Sequence, residues 1–303
     1  MKVASINCIT YFITNVINEA YLKFGKLHFV AEKYRPLINM KNEFMLSRLL
    51  MTKNKKSYAS SVLMQEGNLI NKQKIDLKGL GIKKSNTNKY IREYFTNVLK
   101  DDIILASEIN YSNIIRKYFN LIDIIKESLN KGETRFSVPS RVNELEGFKN
   151  PLNVMQVRGA MTWNILYPEE EITYPNNVNL IKLIIEEDYE MVKDKIVNYC
   201  TTNNLEYDEK DLEVFLDRLY EAFNLSYTVG EMTIQKALTK KGILNIISIP
   251  KNKENVPIFL RPFIDIDRIV YDQLNSGTII LDCLNIHTPK INDNLIPTNI
   301  IKI

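Results

Sequence analysis

Lys55, Lys56 and Tyr58 lie in the stretch NKKSYASSVLMQEG, residues 54–67. Lys78 follows, then Lys83, Lys84, Ser85, Asn86, Thr87 and Lys89 in one short run, and much later Arg158. These side chains are hydrogen-bond donors: ammonium and guanidinium groups, hydroxyls and an amide. A set of this kind does not activate a nucleophile or shuttle protons at neutral pH; it grips phosphate oxygens. Between Lys53 and Arg92 ten basic residues face two acidic ones, Glu66 and Asp76, a local charge of +8 in a chain whose total is +4. Such a block is the footprint of a polyanion-binding surface, and charge alone is equally the mark of a solvated lysine face. Residues 186–221 have the opposite character, with twelve carboxylates and four basic side chains. Like charges repel, so this segment is expected to turn away from a polyanion.

Other chemistries lack their signatures. There is no P-loop, no G-x-G-x-x-G, no G-x-S-x-G and no H-E-x-x-H. Cys8, Cys200 and Cys283 are far apart and His28 and His287 are the only histidines, so no zinc site is expected and a reducing compartment is. No run approaches ~18 uncharged apolar residues. The opening MKVASINCITYFITNVINEAY lacks a small-residue cleavage site, so neither a membrane partner nor a signal peptide is expected.

The elements that must position the donors follow from periodicity. Ile6, Ile9, Ile13, Val16, Ile17, Ala20 and Phe24 recur at helical steps, predicting a helix over 5–24 that stops at Gly25. KLHFVAEKY alternates as a strand over 27–31, FMLSRLLM fits either strand or helix, KKSYASSVLM reads as a strand, EGN as a turn and QKIDLKGL as the next strand. From residue 86 the period becomes helical. Asn86 or Thr87 is the N-cap candidate, and Ile91, Tyr94, Phe95 and Val98 share a face. A second helix, YSNIIRKYFNLIDIIKESLNKG, carries Ile114, Tyr118, Leu121, Ile122, Ile125 and Leu129 and closes at Gly132. Residues 131–150 read as a loop, PLNVMQVRGAMTWNILYP as a helix up to Pro168, 176–185 as a strand, 186–221 as helical, GILNIISIP as a strand, RPFIDIDRIVYDQLNSG as a helix and TIILDCLNI as a final strand. The tail after Pro289 reads as irregular. The fold class is α+β: a helix with antiparallel strands first, then a mainly helical part.

At 55–89 the residues become more specific than their charge. Lys55-Lys56-Ser57-Tyr58-Ala59, the turn Glu66-Gly67, Gly79-Leu80, and Lys84-Ser85-Asn86-Thr87 with Lys89 resemble, in order, the end of the palm domain of family B DNA polymerases, most of all the replicative enzymes of T-even-like phages. MQVRGAMTWNILYP resembles that family's thumb segment at Arg158, Gly159, Thr162, Trp163 and Asn164, with Gln156 in place of a histidine. The resemblance covers residues 1 to about 185 and 256–276. It implies late palm over 1–84 and thumb over 85–303, with an acidic helical insert at about 186–250. It implies that Lys56 donates into the minor groove, where purine N3 and pyrimidine O2 are common to all correct pairs, and that Lys55 and Tyr58 position the primer strand. Lys83, Lys84, Ser85, Asn86 and Thr87 would hold phosphates at a strand-to-helix turn, with Lys78, Lys89 and Arg158 as further DNA-binding residues. Ser57 replaces the family's arginine, which removes one backbone contact. On the residues alone, Tyr58 also fits a half-buried strand aromatic, Arg158 an ion pair inside the thumb, Trp163 a core position, and Tyr90 and Tyr94 helix packing.

The family's two metal-binding aspartate motifs and its fingers helix have no counterpart here; DIDR at 265–268 and the aspartates at 101–102 lack that context. Two-metal phosphoryl transfer needs those carboxylates. The resemblance therefore implies the C-terminal part of a split replicative polymerase in the cytoplasm of an infected host cell. Primer-template DNA and an N-terminal polymerase chain are its partners; that chain would bring exonuclease, fingers, the aspartates and, through them, Mg2+. This chain itself binds no cofactor in that reading and is inactive alone. The ending LIPTNIIKI has no aromatic residue, so a sliding clamp is not expected as a partner. The alternative is a stand-alone duplex-binding or processivity factor derived from a polymerase.

Overall fold

A computed structural model describes residues 2–37, 43–66, 68–83, 87–144, 151–224, 228–229, 232–233, 238–240 and 242–286. The fold is α+β, with antiparallel sheets. The chain divides into two compact units, one formed by 1–80 with 99–108, the other by 81–98 with 109–303.

The first unit opens with helix α1, Lys2–Leu27. The helix runs past the predicted stop at Gly25, and there is no strand at 27–31. Instead Phe29 takes a left-handed φ of 57°, the Val30 amide bonds the Gly25 carbonyl at 2.9 Å, and a 3₁₀ turn follows at Glu32–Leu37. Five alternating residues were too few to carry a strand with no neighbour to pair with. Strands β1 (Phe44–Met51), β2 (Tyr58–Gln65) and β3 (Asn68–Lys78) form a sheet in that order. Arg48, opposite Ser61 in the register, donates to the carbonyls of Ile103, Ala106 and Ser107, so the segment 99–108 covers this face. Ala59 and Ser61 are sealed there.

The second unit takes up the chain at Gly81. Its elements are α2 (Lys89–Asn97), α3 (Tyr111–Asn130), β4 (Val138–Val142), α4 (Met155–Leu166), β5 (Asn176–Glu186), α5 (Tyr189–Thr202), α6 (Glu209–Asn224), the short pair β6 (Thr228–Val229) and β7 (Met232–Thr233), β8 (Thr239–Lys240), β9 (Ile243–Pro250) and α7 (Ile266–Cys283). A four-stranded sheet in the order β4-β5-β9-β8 is its centre. β4 lies inside the segment read from sequence as a loop. α3 buries Ile114, Tyr118, Leu121, Ile125 and Leu129 of the predicted stripe, while Ile122, at its edge, is only half-buried. The predicted final strand does not form, because Thr278–Cys283 continue α7. The segment 186–250 joins the sheet through β9, which pairs along β5. The tail after Pro289 lies outside the described residues.

Candidate nucleic-acid interface

β2 begins at Tyr58, so Lys55 and Lys56 stand in the β1–β2 turn rather than on the strand. The turn is tightly made. The amide of Thr52 bonds the Ser57 carbonyl at 3.1 Å, Ser57 N–H bonds the Asn54 carbonyl at 3.2 Å, and the Thr52 hydroxyl and the Asn54 amide hydrogen-bond at 3.2 Å. Lys56 takes φ 58°, in the left-handed region. Ser57 is buried and its hydroxyl donates to the Gly79 carbonyl at 3.1 Å. Ser57 thus ties the turn to the end of β3 and does not face solvent.

Tyr58 lies opposite Lys78, and Ser60 opposite Asp76, so all four side chains share a sheet face. The half-buried Tyr58 hydroxyl donates to Asp76 Oδ2 at 3.0 Å. Burial, and then the Asp76 carboxylate, hold its phenol above the usual tyrosine range. Lys55, Lys56, Tyr58 and Lys78 are therefore collected at one end of one sheet. Lys53, Lys55, Lys56 and Lys78 are exposed and make no ion pair among the described residues. Sequence reading missed Asp76, and the part of Gly79, in fixing this end. Strand alternation against Tyr58 is the signal that would have found Asp76.

The remaining donors belong to the second unit. Lys84, Ser85 and Asn86, and the side chain of Lys83, lie outside the described residues. Thr87 donates its hydroxyl to the Gly81 carbonyl at 3.1 Å, closing that loop. The helix cap is Asn88, one residue beyond the candidates named from sequence. Its side-chain oxygen accepts from Tyr90 N at 2.9 Å, while its amide donates to the carbonyls of Arg135 and Ser137. Asn88 can serve as cap because it is anchored from both sides. Lys89 is exposed at the first turn of α2, 3.9 Å from Glu93, which is exposed as well, a pairing that contributes little.

Arg158 is half-buried on α4. The residues after it are structural. A Cβ on Gly159 would stand 2.6 Å from Ser248 Oγ and 2.7 Å from Ser248 N, so α4 sits on β9 through this glycine. Trp163 is fully buried and donates Nε1–H to the Glu170 carbonyl at 2.8 Å, and Asn164 accepts from Ile172 N at 2.8 Å. Asp265 caps α7 by accepting from Arg268 N at 3.1 Å, and Asp267 lies 3.6 Å from Lys126. Among the described residues no three His, Cys, Asp or Glu side chains are grouped to hold a metal ion, and no helix is long and apolar enough to cross a membrane.

The arrangement can hold a phosphate backbone without reading sequence, since ammonium groups on a rigid turn contact oxygens common to every nucleotide. A family model described as divergent family B DNA polymerase matches residues 2–296. No curated protein matches the chain.

Proposed function

The chain belongs to the divergent family B DNA polymerases, and we propose that within such an enzyme it is the duplex-holding C-terminal part, late palm and thumb, of a phage-type replicative polymerase. Lys55, Lys56 and Lys78 contact the primer-template duplex from the end of the first sheet, with Lys56 as the minor-groove donor and Tyr58 beside it. Lys83, Lys84, Ser85, Asn86, Thr87, Lys89 and Arg158 extend the grip along phosphates. The observation that supports this reading best is the lysine pair on a turn locked by Ser57 and Gly79, at one end of a sheet. A turn built so tightly around two unpaired cations resists local charge repulsion for a purpose other than stability.

In this reading a second polypeptide supplies the aspartates and the Mg2+ they hold, and no bond-making step is assigned to this chain. The test is co-expression with the aspartate-bearing polymerase chain of the same genome, followed by primer extension. The pair is expected to extend primers with Mg2+, neither chain doing so alone. Extension by this chain alone, or full activity of the other alone, would sink the split arrangement; duplex binding with no such association would favour the stand-alone factor.

A further inference from the structure

Arginines in this chain are mostly engaged by the chain itself. Arg48, Arg92, Arg218 and Arg261 each donate to a backbone carbonyl. Arg135, in the second unit, differs. It is exposed, and its guanidinium makes no hydrogen bond or ion pair among the described residues. The carboxylates close to it in sequence or along α2 are occupied elsewhere: Glu133 accepts from the Ser128 hydroxyl at 2.7 Å, and Glu93 faces Lys89.

Yet Arg135 is held in place. Its guanidinium carbon lies 4.2 Å from the centre of the Tyr90 ring and 5.5 Å from that of Phe136, and those two rings meet edge to face at 5.3 Å. The backbone beneath is pinned on both sides. The Asn88 amide donates to the Arg135 carbonyl at 2.6 Å, and Gln273 donates to the buried Phe136 carbonyl at 2.8 Å. Ser137 N–H closes the 3₁₀ turn Thr134–Phe136 on the Thr134 carbonyl at 2.9 Å. Stacking uses the face of a guanidinium and leaves the N–H donors along its edge free. An arginine ordered in this way has lost much of its rotamer freedom before any ligand arrives, which is preorganisation.

We propose that Arg135, set on the Tyr90 and Phe136 rings, is a further DNA-contacting residue that forks onto a backbone phosphate of the duplex. This rests on the reading of the chain as the duplex-holding part of a polymerase and adds a site to it. A planar fork of free donors matches two phosphate oxygens. Lys89, exposed and next to Tyr90 in sequence, supplies a second cation at the start of α2. The face of Tyr90 that carries the guanidinium cannot also stack a base, so the contact is to backbone and reads no sequence.

Affinity of the purified full chain for a labelled duplex is measured by fluorescence anisotropy across a salt series, beside a single strand of the same length and a urea midpoint for each variant. Arg135→Gln should weaken duplex binding about tenfold, the order expected for one charge-assisted contact. It should also flatten the slope of log affinity on log salt by ~0.9, and do so equally for duplexes of unrelated sequence. Arg135→Lys keeps the charge and loses the fork, so it should keep the parent slope and bind more tightly than Arg135→Gln but less tightly than the parent. Parent affinity and slope in both variants overturn the proposal, as does a loss confined to the single strand. An equal loss in both variants that follows a lowered urea midpoint overturns it too, since the arginine then only covers the rings. Lys55→Ala separates this site from the reading it rests on. If Lys55→Ala weakens duplex binding and Arg135→Gln does not, the duplex-holding reading stands and the Arg135 site falls. If the parent chain binds no duplex, that reading falls and takes the site with it.

Discussion

Gly79 lies against the backbone of Lys56. A Cβ built on Gly79 would overlap the Lys56 carbonyl oxygen and stand 3.0 Å from the Ser57 Cα, and Gly79 itself has φ 65°. The glycine is thus required twice, by its left-handed conformation and by the closeness of the turn that presents the lysines. Gly79→Ala meets backbone, which cannot swing aside. The conformation alone costs about 1–2 kcal/mol, and displacement of the turn adds to it. The expected outcome is a lower urea midpoint together with weaker duplex binding, although no charge has been removed. Unchanged affinity in a folded Gly79→Ala protein would separate the turn from DNA binding.

Lys56 allows stability and binding to be moved in opposite directions. Its φ of 58° is unfavourable for lysine and free for glycine. Lys56→Gly should therefore stabilise the protein by about 1 kcal/mol. It should also weaken duplex binding and flatten the dependence of log affinity on log salt by ~0.9, the share of one neutralised phosphate. Lys55→Ala should flatten the slope similarly without the stabilisation. A Lys56→Gly protein that is more stable and binds as before would leave the lysine as a solvated surface residue.

The sequence made visible what depends on local periodicity and hid what depends on neighbours. The α3 stripe and the β2–β3 alternation were legible because their apolar residues repeat over many positions. β4 was not, because Pro139 reads as a loop residue; an outer strand, paired on one side only, tolerates it. At the other end, Gly277 followed by TIILDC reads as a helix stop before a strand. In the structure it is an interior residue of α7. At the interface the donors Lys55, Lys56 and Tyr58 were legible by type and order. The clamp formed by Ser57, Gly79 and Asp76 was not, because it joins residues about twenty positions apart across a sheet whose register the sequence does not state.

Gly277 is helical because of what faces it. A Cβ there would overlap the ring of Phe95, which is buried on α2. In an open helix interior, glycine to alanine stabilises by about 0.5–1 kcal/mol. Here overpacking, at about 1–3 kcal/mol, exceeds that gain, so Gly277→Ala should destabilise. Combining it with Phe95→Leu should recover part of the loss, and a double-mutant cycle measures the coupling. Additive effects would mean that the ring and the glycine do not meet.

Tyr167 sets a pH test. It follows α4, packs at a tilt against Trp163 with ring centroids 4.6 Å apart, and its buried hydroxyl has no hydrogen-bond partner among the described residues. Burial first, then the charges of Glu169 and Glu170, push its phenol well above the usual tyrosine range. A raised folded-state value means that the folded protein holds the proton more tightly than the unfolded chain. This contribution is fully present below the unfolded value of about 10 and is lost as pH rises beyond it, where the unfolded chain releases its proton first. Removing an unsatisfied hydroxyl while keeping the ring should be neutral or stabilising by about 1 kcal/mol at pH 7. Tyr167→Phe should also lose less stability than the parent between pH 9 and pH 11. Urea unfolding at both ends of that range measures the two effects. A loss of more than about 2 kcal/mol at pH 7 would mean that the hydroxyl is held by a partner in solution.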